Sequence, residues 1–147
     1  MNIIFGCNFR SCRNTVGYDE RSAIASVKST GDQRVLPGEV IVLLGRGPMG
    51  AGMPETAQIT SALKYTKALS ENALITDGRF SGFSSGPCIG HIGPEALSGG
   101  PIGKLRDGDQ IKIEINKDHC VGKIDFIGDV EAFQKRPMNP NLREDPN

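Results

Sequence analysis

The residues best placed to do chemistry lie between Ala73 and His91, where Asp77, Arg79 and Ser81 alternate into a loop dense in glycine and serine. Gly78, Gly82, Gly86 and Gly90 let such a loop turn tightly and come close to a bound molecule. The loop has little apolar material for a core, so its value lies in where it places hydroxyls, backbone N–H groups and a guanidinium. A Gly/Ser-rich surface turn is the competing reading. Ser81 by itself is a poor base or nucleophile and needs a general base or a strong local positive charge. His91 could form a hydrolase-like dyad with it, but the strand-to-helix Gly-x-Ser-x-Gly elbow is missing. A metal ion supplied nearby is the more economical activator.

A second glycine-rich loop, Gly45-Arg-Gly-Pro-Met-Gly-Ala-Gly-Met-Pro-Glu55, closes on a carboxylate. Glu55 is either an acidic residue of a helix first turn, where the helix dipole favours it, or a hard oxygen ligand for Mg²⁺. Gly45, Gly47 and Gly50 satisfy G-x-G-x-x-G, but Ala51-Gly-Met-Pro54 separates the third glycine from the helix and no acidic strand end follows, so the dinucleotide reading is weak. No Gly-Lys-Ser/Thr is present, which excludes a P-loop on this segment. Cys88, His91, His119 and Cys120 make a poor zinc set because His119 and Cys120 are adjacent. Cys7-x4-Cys12 lacks the third nearby cysteine of a self-contained iron–sulfur site.

The elements that must position these loops are partly legible. Ala23, Ile24 and Val27 predict a short helix over 20–27 with Asp19 as its cap. Glu39–Leu44 is a continuous apolar run of the kind buried on both faces of a sheet. Ile59, Leu63, Thr66 and Leu69 predict a helix over 56–69, and Leu74–Thr76 a second strand. That order is a β-loop-α-β unit, whose two glycine loops emerge at the carboxyl ends of their strands and become neighbours in space. Downstream, 94–97 reads as one helical turn. Gly103–Arg106 and Gln110–Ile115 flank Asp107-Gly108 as an antiparallel hairpin, and 121–127 adds a further strand. Residues 1–17 show no clear period, and the proline-broken polar end reads as a mobile tail.

Composition narrows the class. A chain of 147 residues is most simply one domain. Seventeen basic residues balance seventeen acidic ones, and with no Trp and two Tyr this argues against a nucleic-acid surface. No stretch approaches the roughly 18 apolar residues of a membrane span, so a cytoplasmic location is the expectation and the four cysteines are read as free thiols.

The two loops together resemble the C-terminal domain of the dihydroxy-acid and sugar-acid dehydratase family. The matching segments are 45–55, Thr60-Ser-Ala-Leu63, Leu74-Ile-Thr-Asp-Gly-Arg-Phe-Ser-Gly82, Cys88-Ile-Gly-His-Ile-Gly-Pro-Glu-Ala-Leu97 and Gly99-Gly-Pro-Ile-Gly-Lys-Leu-Arg-Asp-Gly-Asp109. Their order and spacing hold from about residue 35 to 127. The resemblance implies dehydration of a 2,3-dihydroxy acid to a 2-keto-3-deoxy acid with Mg²⁺ and an iron–sulfur cluster. It makes Ser81 the alkoxide base for the C2 proton and Glu55 a Mg²⁺ ligand, with Arg79, Gly82 and Ser84 as substrate contacts.

The 90–97, 103–109 and 122–128 segments look most like the aldonate branch, typified by xylonate dehydratases; dihydroxy-acid dehydratase of branched-chain amino-acid biosynthesis is the rival. The fold implied is mixed α/β, a swivelling β/β/α domain with a barrel-like sheet over residues 1–129 and a polar tail over 130–147. Family members are several times longer. The cluster and the remaining Mg²⁺ ligands are therefore expected in an N-terminal domain outside this chain, Cys7 and Cys12 are not promoted to cluster ligands, and the fragment alone is expected to be inactive. The full-length enzyme is expected to be a homo-oligomer. A ligand-binding module that keeps the fold without chemistry is the alternative from another class.

Overall fold

An unbroken run of aliphatic residues needs apolar neighbours on both faces, and Val40–Leu44 finds them. The computed structural model describes residues 2–6, 15–17, 19–32, 34–116 and 118–142. Its elements are β1 (Asn2–Gly6), β2 (Thr15–Gly17), α1 (Glu20–Lys28), β3 (Ile41–Leu43), β4 (Glu55–Thr56), α2 (Gln58–Tyr65), β5 (Leu74–Thr76), β6 (Arg79–Phe80), β7 (Cys88–Ile89), β8 (Gln110–Asn116), β9 (Val121–Ile127) and α3 (Val130–Lys135). Strands β2, β3, β5 and β7 form a parallel sheet in that order, β1, β8 and β9 an antiparallel one, and β4 and β6 a two-stranded parallel pair.

Alternation along β3 divides the core into two layers. Ile41 and Leu43, with Leu74 of β5, pack on Ala23 and Val27 of α1 and on Ile59 and Leu63 of α2. Val40, Val42, Leu44 and Ile75 face the other way, onto Ile111 and Ile113 of β8, Ile102 and Phe133. Each such side chain contributes about 1.5–3 kcal/mol by leaving water, so β3 is the strand the fold can least lose.

Helix α1 starts where the sequence places it, with Asp19 Oδ1 accepting from Ser22 N at 2.7 Å. Its first residue also serves α2: Glu20 Oε1 accepts from Ala57 N (3.1 Å) and Ile59 N (2.9 Å), the open N-terminal groups of a helix whose own cap residue, Ala57, has no acceptor side chain. Helix α2 is shorter than predicted. Thr56 belongs to β4, and after Thr66 leaves helical geometry the chain continues as a 3-10 turn over Lys67–Leu69 that still buries Leu69. Ala96–Ser98 forms a 3-10 turn closed by Gly99 in the left-handed region, as the helical-turn reading of 94–97 foresees.

The strand pairing expected around Asp107-Gly108 differs from the structure. Gly103 and Lys104 lie in a 3-10 turn, Pro101–Lys104, so Asp107-Gly108 joins no two strands, and the hairpin is β8–β9. The 3-10 spacing buries both Ile102 and Leu105, which a period-two reading cannot do. Residues 1–17, left without a period, supply β1 against β8 and β2 beside β3.

Residues 130–142 are also packed rather than free. Asp129 caps α3 through Ala132 N (3.0 Å). Phe133 is buried and stacked on Phe126 at 4.2 Å between centroids. Buried Asn139 donates from its backbone N to Gly103 O (2.7 Å) and from Nδ2 to Leu105 O (3.2 Å). A tail reading fails here because one aromatic and one asparagine anchor an otherwise polar segment; residues 143–147, like Cys7 and Cys12, lie outside the described residues.

Among the described residues the fold is thus mixed α/β, with three α-helices and three sheets, and no closed barrel forms. No helix among them is long and apolar enough to cross a membrane.

Candidate active site

Strands β3 and β5 run parallel in register, Leu43 beside Thr76, so both glycine loops leave the sheet at the same edge. Asp77, the residue after β5, is buried and ties them together. Its Oδ1 accepts from Arg46 N (2.9 Å), and its Oδ2 accepts from Gly45 N (3.2 Å) and from Ala96 N (3.0 Å) at the 3-10 turn. The loops approach so closely that a Cβ at Gly78 would lie 2.6 Å from Arg46 Cβ, and one at Gly50 would overlap the Gly45 carbonyl. Glycine is required at both positions by that approach.

The loops then pair as the short strands β4 and β6, with Glu55 opposite Arg79 and Thr56 opposite Phe80. Arg79 Nη1 stands 3.4 Å from Glu55 Oε1, the side chains being 47% and 56% exposed, and Arg79 Nε donates to Met53 O at 2.7 Å. Exposed pairs of this kind contribute at most about 1 kcal/mol, so the contact orients Glu55 more than it stabilises the chain. The same pairing seats the serine loop: Ser81 N donates to Thr56 O (3.1 Å), Ser84 Oγ to the same carbonyl (2.9 Å) and Ser84 N to Ser81 O (3.0 Å). Ser81 Oγ accepts from Phe83 N at 3.3 Å, which leaves its own proton uncommitted among the described residues.

The structure therefore brings together Glu55, Arg79, Ser81, Gly82 and Ser84, on one β4–β6 platform. Two of the five stand in roles beyond those the sequence indicates. Arg79 is engaged with Glu55 and Met53, and the Ser84 hydroxyl donates to Thr56 O and holds the loop. Gly82 is exposed, and a Cβ there would meet nothing within 4 Å, so packing does not demand glycine at that position. His91 is exposed in the left-handed region (φ 55°), and its N donates to Gly78 O (2.8 Å). It makes no hydrogen bond to Ser81 among the described residues. Phe83, two residues past Ser81, is almost wholly exposed at the rim.

The sequence points to Asp77 without showing what it does, and two further residues of the site, Glu95 and Arg46, escape a reading of the sequence. Asp77 acts as a hub, a role its place at a strand end hints at without showing its three donors. Glu95 reaches back to accept from Met49 N (3.1 Å) and fills the space over Gly47. Arg46 carries a buried Nε with no partner; the available signal was a lone cation in a loop of glycine, proline and methionine.

The donor set fits one implied metal in part. Glu55 offers an exposed carboxylate with Oε1 on Arg79, the contribution expected of a single oxygen ligand to Mg²⁺ when further ligands come from elsewhere. No group of three or more His, Cys, Asp or Glu side chains able to hold a metal exists among the described residues. The described thiols do not fit a cluster: Cys88 donates to Ser85 O (3.4 Å), burial pushes its thiol pKa up, and Cys120 is a single exposed group.

Comparison with known proteins identifies the family. Residues 8–142 match the family described as Dihydroxy-acid/6-phosphogluconate dehydratase C-terminal. The chain belongs to this family. It is 51% identical over 109 residues to D-xylonate dehydratase YjhG of Escherichia coli (strain K12), covering 74% of this chain and 16% of that protein. It is 44% identical over 128 residues to D-xylonate dehydratase YagF of the same organism, covering 87% and 18%. It is 41% identical over 118 residues to dihydroxy-acid dehydratase of Mycobacterium sp. (strain JLS), covering 80% and 19%. The chain thus spans less than a fifth of the length of these relatives. Both glycine loops, β4, β6 and Asp77 fall inside the family's C-terminal region.

Proposed function

We propose that this chain forms one wall of a hydro-lyase active site that dehydrates a 2,3-dihydroxy acid to a 2-keto-3-deoxy acid. The observation that carries the reading is the β4–β6 pair, which sets Glu55 opposite Arg79 and ties Ser81 N to the carbonyl of the next residue, Thr56, with the Ser81 hydroxyl proton uncommitted among the described residues. Ser81 Oγ, as an alkoxide, takes the C2 proton; the electron pair moves into a C2–C3 double bond as the C3–O bond breaks, and the resulting enol becomes the 2-keto acid. Phe83 N–H, already directed at Ser81 Oγ, favours the anionic form of that oxygen. The open space over Gly82 leaves room for substrate beside the base. Glu55, oriented by Arg79, would hold Mg²⁺, which supplies positive charge that makes both the C2 proton and the Ser81 hydroxyl more acidic. An iron–sulfur cluster, held by residues outside those described here, would supply a Lewis acid for the departing hydroxide.

The sugar-acid branch is favoured by identity and length of match taken together: YjhG is 51% identical over 109 residues and YagF 44% over 128, whereas dihydroxy-acid dehydratases match at 50% over 100 residues and 41% over 118. On this reading the chain is a swivelling β/β/α domain that works against an N-terminal domain in a cytoplasmic, homo-oligomeric enzyme. The test is turnover by the full-length polypeptide carrying this sequence, with D-xylonate, related aldonates and a branched-chain 2,3-dihydroxy acid as substrates. The aldonates should be dehydrated at the higher kcat/KM. Preference for the branched-chain acid moves the protein to the other branch, and turnover of none by a cluster-loaded protein leaves a non-catalytic ligand-binding module.

A further inference from the structure

Strand β9 ends the antiparallel sheet, and no strand lies on its outer edge among the described residues. An open edge seven residues long is a template for another strand, and sheets that must stay unpaired blunt it with proline, a bulge or charge that a second strand cannot match. β9 has no proline and no bulge: its register with β8 is unbroken from Val121 to Ile127. The face it shares with buried Ile111 and Ile113 carries Gly122, Ile124 and Phe126, none of them charged. Along the strand Val121, Ile124 and Ile127 stay 57%, 37% and 45% exposed.

The two charges of β9 invite a partner instead of repelling one. Lys123 and Asp125 flank Ile124 on the outer face and pair with each other at 2.9 Å, while β8 sets Glu114 opposite Lys123 and Lys112 opposite Asp125. A second, antiparallel β9 centred on Ile124 places Lys123 against the partner's Asp125. The row then alternates in sign from Glu114 through Lys123 to the partner's Asp125 and the partner's Lys112. The same register sets Val121 against the partner's Ile127 and Ile124 against the partner's Ile124. A shift of two residues opposes Lys123 to the partner's Lys123, or Asp125 to the partner's Asp125. A shift of one joins the core face of one copy to the outer face of the other. One antiparallel register therefore satisfies both faces.

We propose that β9 is an interface between two copies of this chain, paired antiparallel about a two-fold axis at Ile124 so that one sheet runs through both. The axis makes each charged and apolar contact occur twice. The inference goes beyond the dehydratase reading and is independent of the chemistry at Ser81.

The test uses the full-length polypeptide carrying this sequence. Directly opposite residues of an antiparallel pair have Cα atoms about 4.5–5.5 Å apart, within reach of a disulfide. Ile124→Cys, oxidised and digested, should therefore yield a peptide linked through position 124 of both copies in mass spectrometry. Each chain has one position 124, so that link forms only between copies. In sedimentation, Lys123→Glu and Asp125→Lys should each weaken self-association about 10-fold, because like charges meet at both symmetric places. An equal mixture of the two variants should associate again, since each supplies the charge the other lacks. Absence of the 124-to-124 link in a folded Ile124→Cys protein overturns the proposal, as does a mixture no better associated than the single variants. A disulfide from position 124 to a different part of the polypeptide overturns it too, and assigns the edge to another segment of the same chain. None of these outcomes alters the expected turnover of aldonates, which tests the dehydratase reading separately.

Discussion

Glu55 and Arg79 face each other across two parallel strands of two residues each, with the guanidinium Nη1 3.4 Å from the carboxylate Oε1. Neither residue is buried enough for the pair to matter to stability, yet Arg79 also closes on Met53 O, so the end of the first glycine loop is clamped at the point where its carboxylate is presented. Arg79→Met should change the free energy of unfolding by less than about 1 kcal/mol. The same variant should lower kcat/KM of the full-length enzyme about 10- to 100-fold, since a misplaced catalytic group costs that much without any loss of fold. Urea unfolding of the variant, set beside its steady-state kinetics, separates the two effects; a large stability loss with proportionate activity loss would make Arg79 a structural residue only.

Asp77 is the opposite kind of residue, buried and structural. Asp77→Ala leaves three backbone N–H groups, of Gly45, Arg46 and Ala96, without their acceptor. At about 1–3 kcal/mol for each unsatisfied group, the expected loss is on the order of 3 kcal/mol or more. Asp77→Asn should recover only part of it, because the amide nitrogen would meet a backbone donor. The urea midpoint measures both, and wild-type stability in the alanine variant would refute the hub.

Two glycines of one loop should respond in opposite ways to alanine. Gly78→Ala drives a Cβ to 2.6 Å from Arg46 Cβ and should cost about 1–3 kcal/mol through overpacking. Gly82→Ala meets nothing and should stay within about 0.5 kcal/mol of wild type. If the space over Gly82 is kept for substrate, its alanine variant should nonetheless raise KM. Thermal melts and Michaelis curves on the pair decide this; equal stability of the two variants would contradict the close approach of the loops.

Burial raises the Cys88 thiol pKa, while Cys120 is exposed. The folded-state value lies above the unfolded one, so the stability gained by burying the neutral thiol is fully present below the unfolded pKa. It is lost as pH rises through the folded value. Iodoacetamide should therefore label Cys120 before Cys88 in the native protein near neutral pH, and Cys88 labelling should increase only at more alkaline pH. Mass spectrometry of the alkylated peptides reads the order, and equal rates at neutral pH would be inconsistent with a half-buried thiol at 88.

What the sequence shows plainly is whatever periodicity or capping encodes over several residues. The apolar run through Val40–Leu44 is legible because a strand buried on both faces leaves no polar position, and α1 is legible because Asp19 precedes a spaced apolar face. The platform itself is not legible as structure: β4 and β6 are two residues each, too short for any period, and they are set by the loops around them. The segment before Asp107-Gly108 misleads for a related reason, since the 3-10 turn Pro101–Lys104 and its three-residue spacing of Ile102 and Leu105 are too short to show a period beside that turn signal. The segment after Val130 misleads because Phe133 and Asn139 anchor it through tertiary contacts that no local pattern announces. Ser81 and Glu55 stand out through motif spacing, whereas Arg46 emerges only once the partners of every neighbouring group are known.

The central claim is that Ser81 removes the C2 proton. Its most direct test is Ser81→Ala in the full-length enzyme, with cluster content and folding verified, assayed for turnover of D-xylonate and for exchange of the C2 hydrogen with solvent deuterium. Both should fall together by about 10²- to 10⁴-fold, the usual contribution of a positioned general base, while D-xylonate binding persists. Near-normal turnover in a folded, cluster-loaded variant would contradict the account.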